Sequence, residues 1–193
     1  MIIGITGSIG TGKSVVTKYL ANSGYPVLDS DLLAGEELKN EEVIKEIVSY
    51  FGELVLSNGK IDRKKLGELI FRNKSDRETL NRIIHPRVIA KIEEKAKQAE
   101  GLLFVDVPLL FEAKLEHLFA KIIVVYTSKE TQLKRLMVRD RIDEEYALAK
   151  IAAQMDIEEK KKRADYLVNN EGDLENTYKQ IENILRRIEN EIW

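Results

Sequence analysis

Eight residues near the start of the chain, Gly7-Ser8-Ile9-Gly10-Thr11-Gly12-Lys13-Ser14, fit the pattern G-x-x-x-x-G-K-[ST]. Glycines at this spacing let backbone N–H groups approach phosphate oxygens and adopt positive φ. A helix that starts directly behind them adds unpaired N–H donors and the positive end of its dipole. Lys13 then bridges the β- and γ-phosphates, and the Ser14 hydroxyl holds Mg²⁺. Gly10, Thr11, Gly12, Lys13, Ser14 and Val15 are therefore the candidate nucleotide contacts. Nucleotide chemistry at a P-loop is the expectation.

Three further groups of residues bear on where the γ-phosphate goes. Asp29 and Asp31 stand two apart, so in an extended backbone their carboxylates share a face. One could take a proton from an alcohol; a turn or helix cap is the alternative, since Asp is common at both. Leu102-Leu103-Phe104-Val105-Asp106 is an apolar run ending in an acid, which puts a carboxylate near Mg²⁺. Arg135 and Arg139 lie at i, i+4 of one helix and project together, as guanidinium groups on a transferring phosphoryl would need to. His85 precedes Pro86 and reads as a structural or substrate-contacting group; with only two histidines, a His-based metal site is not credible. Asn73-Lys74-Ser75-Asp76 spells the guanine-reading N-K-x-D, but it lies between two helices, and Ser75 with Glu78 makes a capping box instead.

These residues need a scaffold. Ile2, Ile3, Gly4 and Ile5 form a short buried strand before the glycine loop, and a helix follows it until Asn22-Ser23-Gly24. Strands are expected at 26–29, 102–106, 122–126 and 166–168. Ser128 caps a helix over about 129–139, and Asp173 caps the last one. Between 32 and 101 the period is helical: Val43, Ile44, Ile47, Val48 and Phe51, then an Asn58-Gly59 hairpin turn, then a helix capped by Asp62. A further helix is expected to stop before His85-Pro86 and another to cover 87–100. One βα crossover takes about 30 residues, so this stretch is a helical insertion. The segment 140–163 is densely charged, and 136–163, sparse in apolar residues, is expected to be mobile without ligand and to close over the nucleotide. The fold class is α/β: a P-loop core with a parallel sheet, an inserted helical substrate-binding subdomain and a helical lid.

Composition narrows the function classes. With 193 residues and 44% hydrophobic content the chain supports one core with an insertion. A formal net charge of −2 argues against nucleic acid as a partner. Cysteine is absent, which removes disulfides and thiolate chemistry. No apolar run reaches membrane-span length, and Met1 runs straight into the first strand, so a cytoplasmic protein without membrane attachment is expected.

Taken together, the residues resemble the dephospho-CoA kinase family. The matching stretches are Gly7 to Ser14, Asp29-Ser30-Asp31, His85-Pro86, Asp106-Val107-Pro108-Leu109-Leu110-Phe111-Glu112, Gln132 to Asp140, Ile151-Ala152-Ala153-Gln154-Met155 and Arg163-Ala164-Asp165. They run in family order over nearly the whole chain. The resemblance implies transfer of the ATP γ-phosphate to the ribose 3′-hydroxyl of dephospho-CoA, with Mg²⁺; a monomer or weak homo-oligomer is expected. It implies a nucleotide-binding core at 1–30, 102–135 and 164–193, a CoA-binding subdomain at 31–101 and a lid at 136–163. Asp31 is then the base, with Lys13 and Arg139 neutralising phosphate charge. Arg135 contacts the nucleotide, and Thr6, Asp29, Asp31, His85 and Leu110 contact the acceptor. Asp106 reaches the metal through water. Two positions depart from the family pattern: Ser8 where a second Gly is frequent, and Gly35 where an Arg usually follows the two aspartates. The alternatives are another small-molecule P-loop kinase, such as a nucleoside or nucleoside monophosphate kinase, and a nucleotide-dependent switch.

Overall fold

In the computed structural model, which describes residues 1–192, strand and helix alternate as the pattern requires. Trp193, the last residue of the expected core, lies outside the described residues. The order is β1 (Ile2–Gly7), α1 (Lys13–Asn22), β2 (Val27–Asp29), α2 (Ser30–Glu37), α3 (Glu41–Phe51), β3 (Leu56–Ser57), β4 (Lys60–Ile61), α4 (Arg63–Arg72) and α5 (Lys74–Gln98). There follow β5 (Leu103–Asp106), β6 (Lys121–Tyr126), α6 (Lys129–Asp140), α7 (Glu144–Ala152), α8 (Ile157–Lys162), β7 (Tyr166–Asn169) and α9 (Leu174–Ile192). The chain divides into two compact units, 1–28 with 99–193, and 29–98.

The first unit is built on a five-stranded sheet in the order β2-β5-β1-β6-β7. The β1–β5, β1–β6 and β6–β7 pairs are all parallel. Parallel strands are covered on both faces, which is why β1, β5 and β6 are nearly continuous apolar runs. One face carries Ile3, Ile5, Phe104, Ile123, Val125, Tyr166 and Val168 against Val16 and Leu20 of α1 and Ile181, Leu185 and Ile188 of α9. Val105, Ile122 and Val124 are buried on the other face. Leu110 and Phe119 stand over Gly4, where a Cβ would come within 2.9 Å of both side chains. A central strand of this sheet puts the loop after β1 at its carboxyl edge, where α/β folds bind ligands.

The second unit is helical apart from a β3–β4 hairpin, whose turn residues Asn58 and Gly59 have φ of 51° and 72°. Val43 and Ile47 of α3, Leu66 of α4 and Leu80, Ile83, Ile84, Val88 and Ile92 of α5 form its buried side. Two local expectations are corrected here. The helices predicted on either side of His85-Pro86 are one helix, α5, with Pro86 inside it. An internal proline removes a backbone hydrogen bond. The buried face nevertheless continues on both sides of it, and the Arg87 guanidinium donates to the Ile83 carbonyl at 3.0 Å. Tertiary packing of that buried face outweighs the local preference at His85. The cap at the start of α5 is Asn73, whose Oδ1 accepts from the Ser75 N–H at 2.9 Å. Ser75 itself lies in the first turn, two residues beyond the capping position.

Candidate active site

The glycine loop has the shape of an anion cradle. Gly10 and Gly12 adopt φ of 81° and 84°, which a residue with a Cβ rarely takes. The Thr11 N–H and hydroxyl both donate to the Ser8 carbonyl, at 3.2 and 2.9 Å, closing the turn. Helix α1 then starts at Lys13 with no side-chain cap and no acid in its first turn. Its leading N–H groups are thus left for an anion from outside the helix.

The cradle is held from behind by three amide side chains. Gln132 of α6 donates to the Ile9 carbonyl at 2.6 Å, and Gln154 accepts from the Ile9 N–H at 2.7 Å. Asn170, just after β7, donates to the Thr11 carbonyl at 2.9 Å and is itself held by the Thr177 hydroxyl at 3.1 Å. The Asn170 amide fills the space a Gly12 side chain would need. Sequence reasoning missed these three as supports of the loop. Gln132 carried the only readable signal: it is fully buried one turn from Leu136, a polar residue on an apolar helix face.

Charge converges on the same place. The Lys13 ammonium pairs with the Asp106 carboxylate at the end of β5. Arg135 brings a guanidinium nitrogen to 3.5 Å from the side-chain position of Gly12. That nitrogen, Nη1, is buried without a hydrogen-bond partner, so the site holds an unspent cationic donor that an anionic ligand would satisfy. Arg139, one turn further, is exposed and bonded through Nε to Asp140 at 2.7 Å. Lys150 reaches the same carboxylate at 2.8 Å, and the two cations hold Asp140 well below the usual carboxylate range. The two arginines expected to act together are therefore separated, Arg135 against the loop and Arg139 tied beside α7.

The fit to Mg²⁺ can be judged from the donor set. Among the described residues no cluster of three or more His, Cys, Asp or Glu could hold a metal. The Ser14 hydroxyl is exposed in the first turn of α1, and Asp106 is the carboxylate beside the loop. One or two protein oxygens completed by phosphates and water suit Mg²⁺, so these residues fit.

Behind the cradle, the Pro108 carbonyl accepts from the Thr6 hydroxyl at 3.2 Å and from the Lys160 ammonium at 3.2 Å. Lys160 is fully buried and pairs with Glu112 at 2.9 Å, while Glu112 also accepts from the Met155 N–H at 2.9 Å. Arg163 lies over the Phe111 ring at 4.6 Å and pairs with Glu116. The second half of the charged segment 140–163 is thus anchored to 107–116. Leu110 is fully buried, with its side chain packed over Gly4, and exposes no atom to a ligand. Glu171 accepts from the Thr127, Ser128 and Thr131 side chains and from the Ser128 N–H, which lowers its pKa to about 2.

The remaining candidates belong to the second unit. Asp29 and Asp31 do not share an extended backbone, as α2 begins at Ser30. The Asp29 carboxylate is the N-cap, accepting from the Asp31 and Leu32 N–H groups at 2.8 and 3.0 Å. Asp31 sits exposed in the first helical turn. Short polar side chains favour this cap, which ends the strand before both carboxylates could align. His85 is half-buried in α5, and desolvation lowers its pKa.

A glycine cradle on the edge of a parallel sheet, with a lysine, a carboxylate and a half-buried arginine around it, defines a P-loop kinase fold. A shikimate kinase from Acinetobacter baumannii shares this fold at a TM-score of 0.56 and 19% identity, covering 98% of this chain and 93% of its own. More specifically, the family model for dephospho-CoA kinase matches residues 1–176, and the chain belongs to that family. The dephospho-CoA kinase of Listeria monocytogenes is 46% identical over 191 residues, 96% of each chain. The solved dephospho-CoA kinase of Campylobacter jejuni is 33% identical with a TM-score of 0.64, covering 97% of this chain and 96% of its own.

Proposed function

We propose that this chain transfers the γ-phosphate of ATP to the ribose 3′-hydroxyl of dephospho-CoA, giving CoA and ADP. The family match over 1–176 carries this reading. The glycine cradle orients the nucleotide phosphates, and Lys13 places its ammonium on their charge. Arg135 spends its unpartnered Nη1 on the nucleotide. Arg139 exchanges Asp140 for the transferring group when substrates are present. Mg²⁺, held by Ser14 with Asp106 through water, would neutralise phosphate charge. Asp31 takes the proton of the 3′-hydroxyl as the new O–P bond forms and the bond between the γ-phosphorus and the β-phosphate oxygen breaks. Asp29 fixes the first turn of α2 and with it the backbone of Asp31.

Residues 31–101 serve as the acceptor subdomain, in which His85 contributes, and Thr6 is assigned to the acceptor from the core. Residues 136–163 serve as the lid, with 141–152 as its moving part and 155–163 as its anchor. Among the described residues no helix is long and apolar enough to cross a membrane. A cytoplasmic monomer or weak homo-oligomer belongs to the same proposal. The test is ADP release with dephospho-CoA, adenosine, AMP, CMP or phosphopantetheine as acceptor. Dephospho-CoA should give the highest kcat/KM; a different preferred acceptor refutes the assignment.

A further inference from the structure

In α2, Asp31 and Gly35 stand at i and i+4, so they share a face of the helix one turn apart. Cβ positions of such a pair are roughly 5–6 Å apart. Gly35 is buried, yet no side chain of its own accounts for the burial. The Arg63 guanidinium packs against it: Nη2 lies too close to the point where a Cβ on Gly35 would be placed for both to fit, with Nη1 3.3 Å from the same point. Arg63 arrives from the first turn of α4, a turn fixed by the Asp62 cap on Lys64 and Lys65 at 3.0 and 3.2 Å. Its Nη2 donates to the Gly35 carbonyl at 2.8 Å, one of the carbonyls that the end of α2 leaves without a helical partner. This bond uses one of five N–H donors, and Arg63 remains exposed. In effect, position 35 carries a guanidinium borrowed from another helix, one turn beyond the proposed base.

We propose that Arg63 binds the 5′-phosphate of the acceptor nucleotide while Asp31 engages the 3′-hydroxyl. This rests on the assignment of Asp31 and dephospho-CoA above. The chemistry fits the spacing: both groups of the acceptor hang from one ribose, and a carboxylate and a guanidinium one helical turn apart match a hydroxyl and a phosphate so arranged. A planar guanidinium also suits a phosphate better than a lysine would. Gly35 is then required for its lack of a side chain, because any Cβ there displaces the guanidinium.

The experiment is calorimetry of dephospho-CoA, AMP and adenosine, with steady-state kinetics in parallel. Arg63→Gln should raise the Kd of dephospho-CoA and of AMP by about 10- to 100-fold, the range for a charged hydrogen bond. It should leave adenosine binding and the KM for ATP within about twofold, while Arg63→Lys recovers part of the loss. Gly35→Ala is the second variant, since Ala favours the helix but evicts the guanidinium. It should weaken dephospho-CoA in the same sense without lowering the Tm. Unchanged dephospho-CoA affinity in both variants overturns the proposal, as does an equal loss for adenosine, which would leave Arg63 a helix cap only. Wild-type enzyme that uses another acceptor would instead refute the function itself, a separate outcome read before any variant is made.

Discussion

Gln154 and Ile9 are joined by a 2.7 Å hydrogen bond from the Ile9 N–H to the Gln154 side-chain oxygen, linking the phosphate loop to the charged segment 145 residues away. With Gln132 on the Ile9 carbonyl, both polar groups of one loop residue are held by glutamines from different elements. Ile9 therefore cannot rotate its flanking peptides without breaking one of these bonds, and Gly10 and Gly12 start from a fixed point. Gln154→Leu keeps the size of the side chain but orphans the N–H. Ile9 is only half-buried, so the orphaned donor costs about 1 kcal/mol, the low end for an unsatisfied group, and kcat/KM for ATP should fall about fivefold with the fold intact. Gln154→Glu, which restores an acceptor, should recover part of it. Unchanged kcat/KM in Gln154→Leu would show that the bond does not organise the loop.

Lys160 and Glu112 predict where the segment 140–163 moves and where it does not. The buried ammonium, the Met155 N–H on the same carboxylate and the Pro108 carbonyl fix 155–163 to the core. Helix α7 is held at its tip by Lys150 on Asp140. Amide exchange should be slow in 155–163 with or without substrates and should slow in 141–152 only when both substrates or a bisubstrate analogue are bound. Lys160→Met should cost about 2–3 kcal/mol, below the full cost of a broken buried pair because Glu112 keeps some solvent. It should also raise exchange in 155–163. Fast exchange of that segment in the wild type would contradict the anchoring.

Asp31→Asn should lower kcat by about 10²–10⁴, the usual range for a general base, with little change in ATP binding. Asp29→Asn keeps an N-cap oxygen and should be nearly silent in kcat, whereas Asp29→Ala should cost about 1 kcal/mol of stability. Kinetics and thermal unfolding of the three variants separate the roles. Retained kcat in Asp31→Asn with a loss in Asp29→Asn would reverse them.

Acid sensitivity should be traceable to Glu171. Its donors lower its pKa from an ordinary 4.5 to about 2. A depressed carboxylate contributes stability that is present above the unfolded pKa and is lost as pH falls through the folded value. Glu171→Gln should therefore be less stable than wild type at pH 7, and the gap should close between about pH 5 and 2. Urea unfolding at stepped pH checks this. A gap that stays constant over that range would show that the ionised carboxylate is not what holds Thr127, Ser128 and Thr131.

The sequence by itself determined the strand, glycine loop and helix around Lys13, because that arrangement follows from residue types at short spacing. It also determined the parallel core: β5 and β6 are continuous apolar runs, which only a sheet covered on both faces needs. The caps at Asp62, Ser128 and Asp173 were equally local. Tertiary structure decided what depends on partners distant in the chain. Pro86 reads as a break, yet α5 runs through it because buried residues on both sides hold one face together. Arg135 and Arg139 are equivalent by spacing, and only the loop on one side and Asp140 on the other divide them. Asn170 supports the loop 159 residues before it, and Arg63 fills the place of a side chain 28 residues away. Such roles are set by space left empty at a glycine, and no local pattern records what fills it.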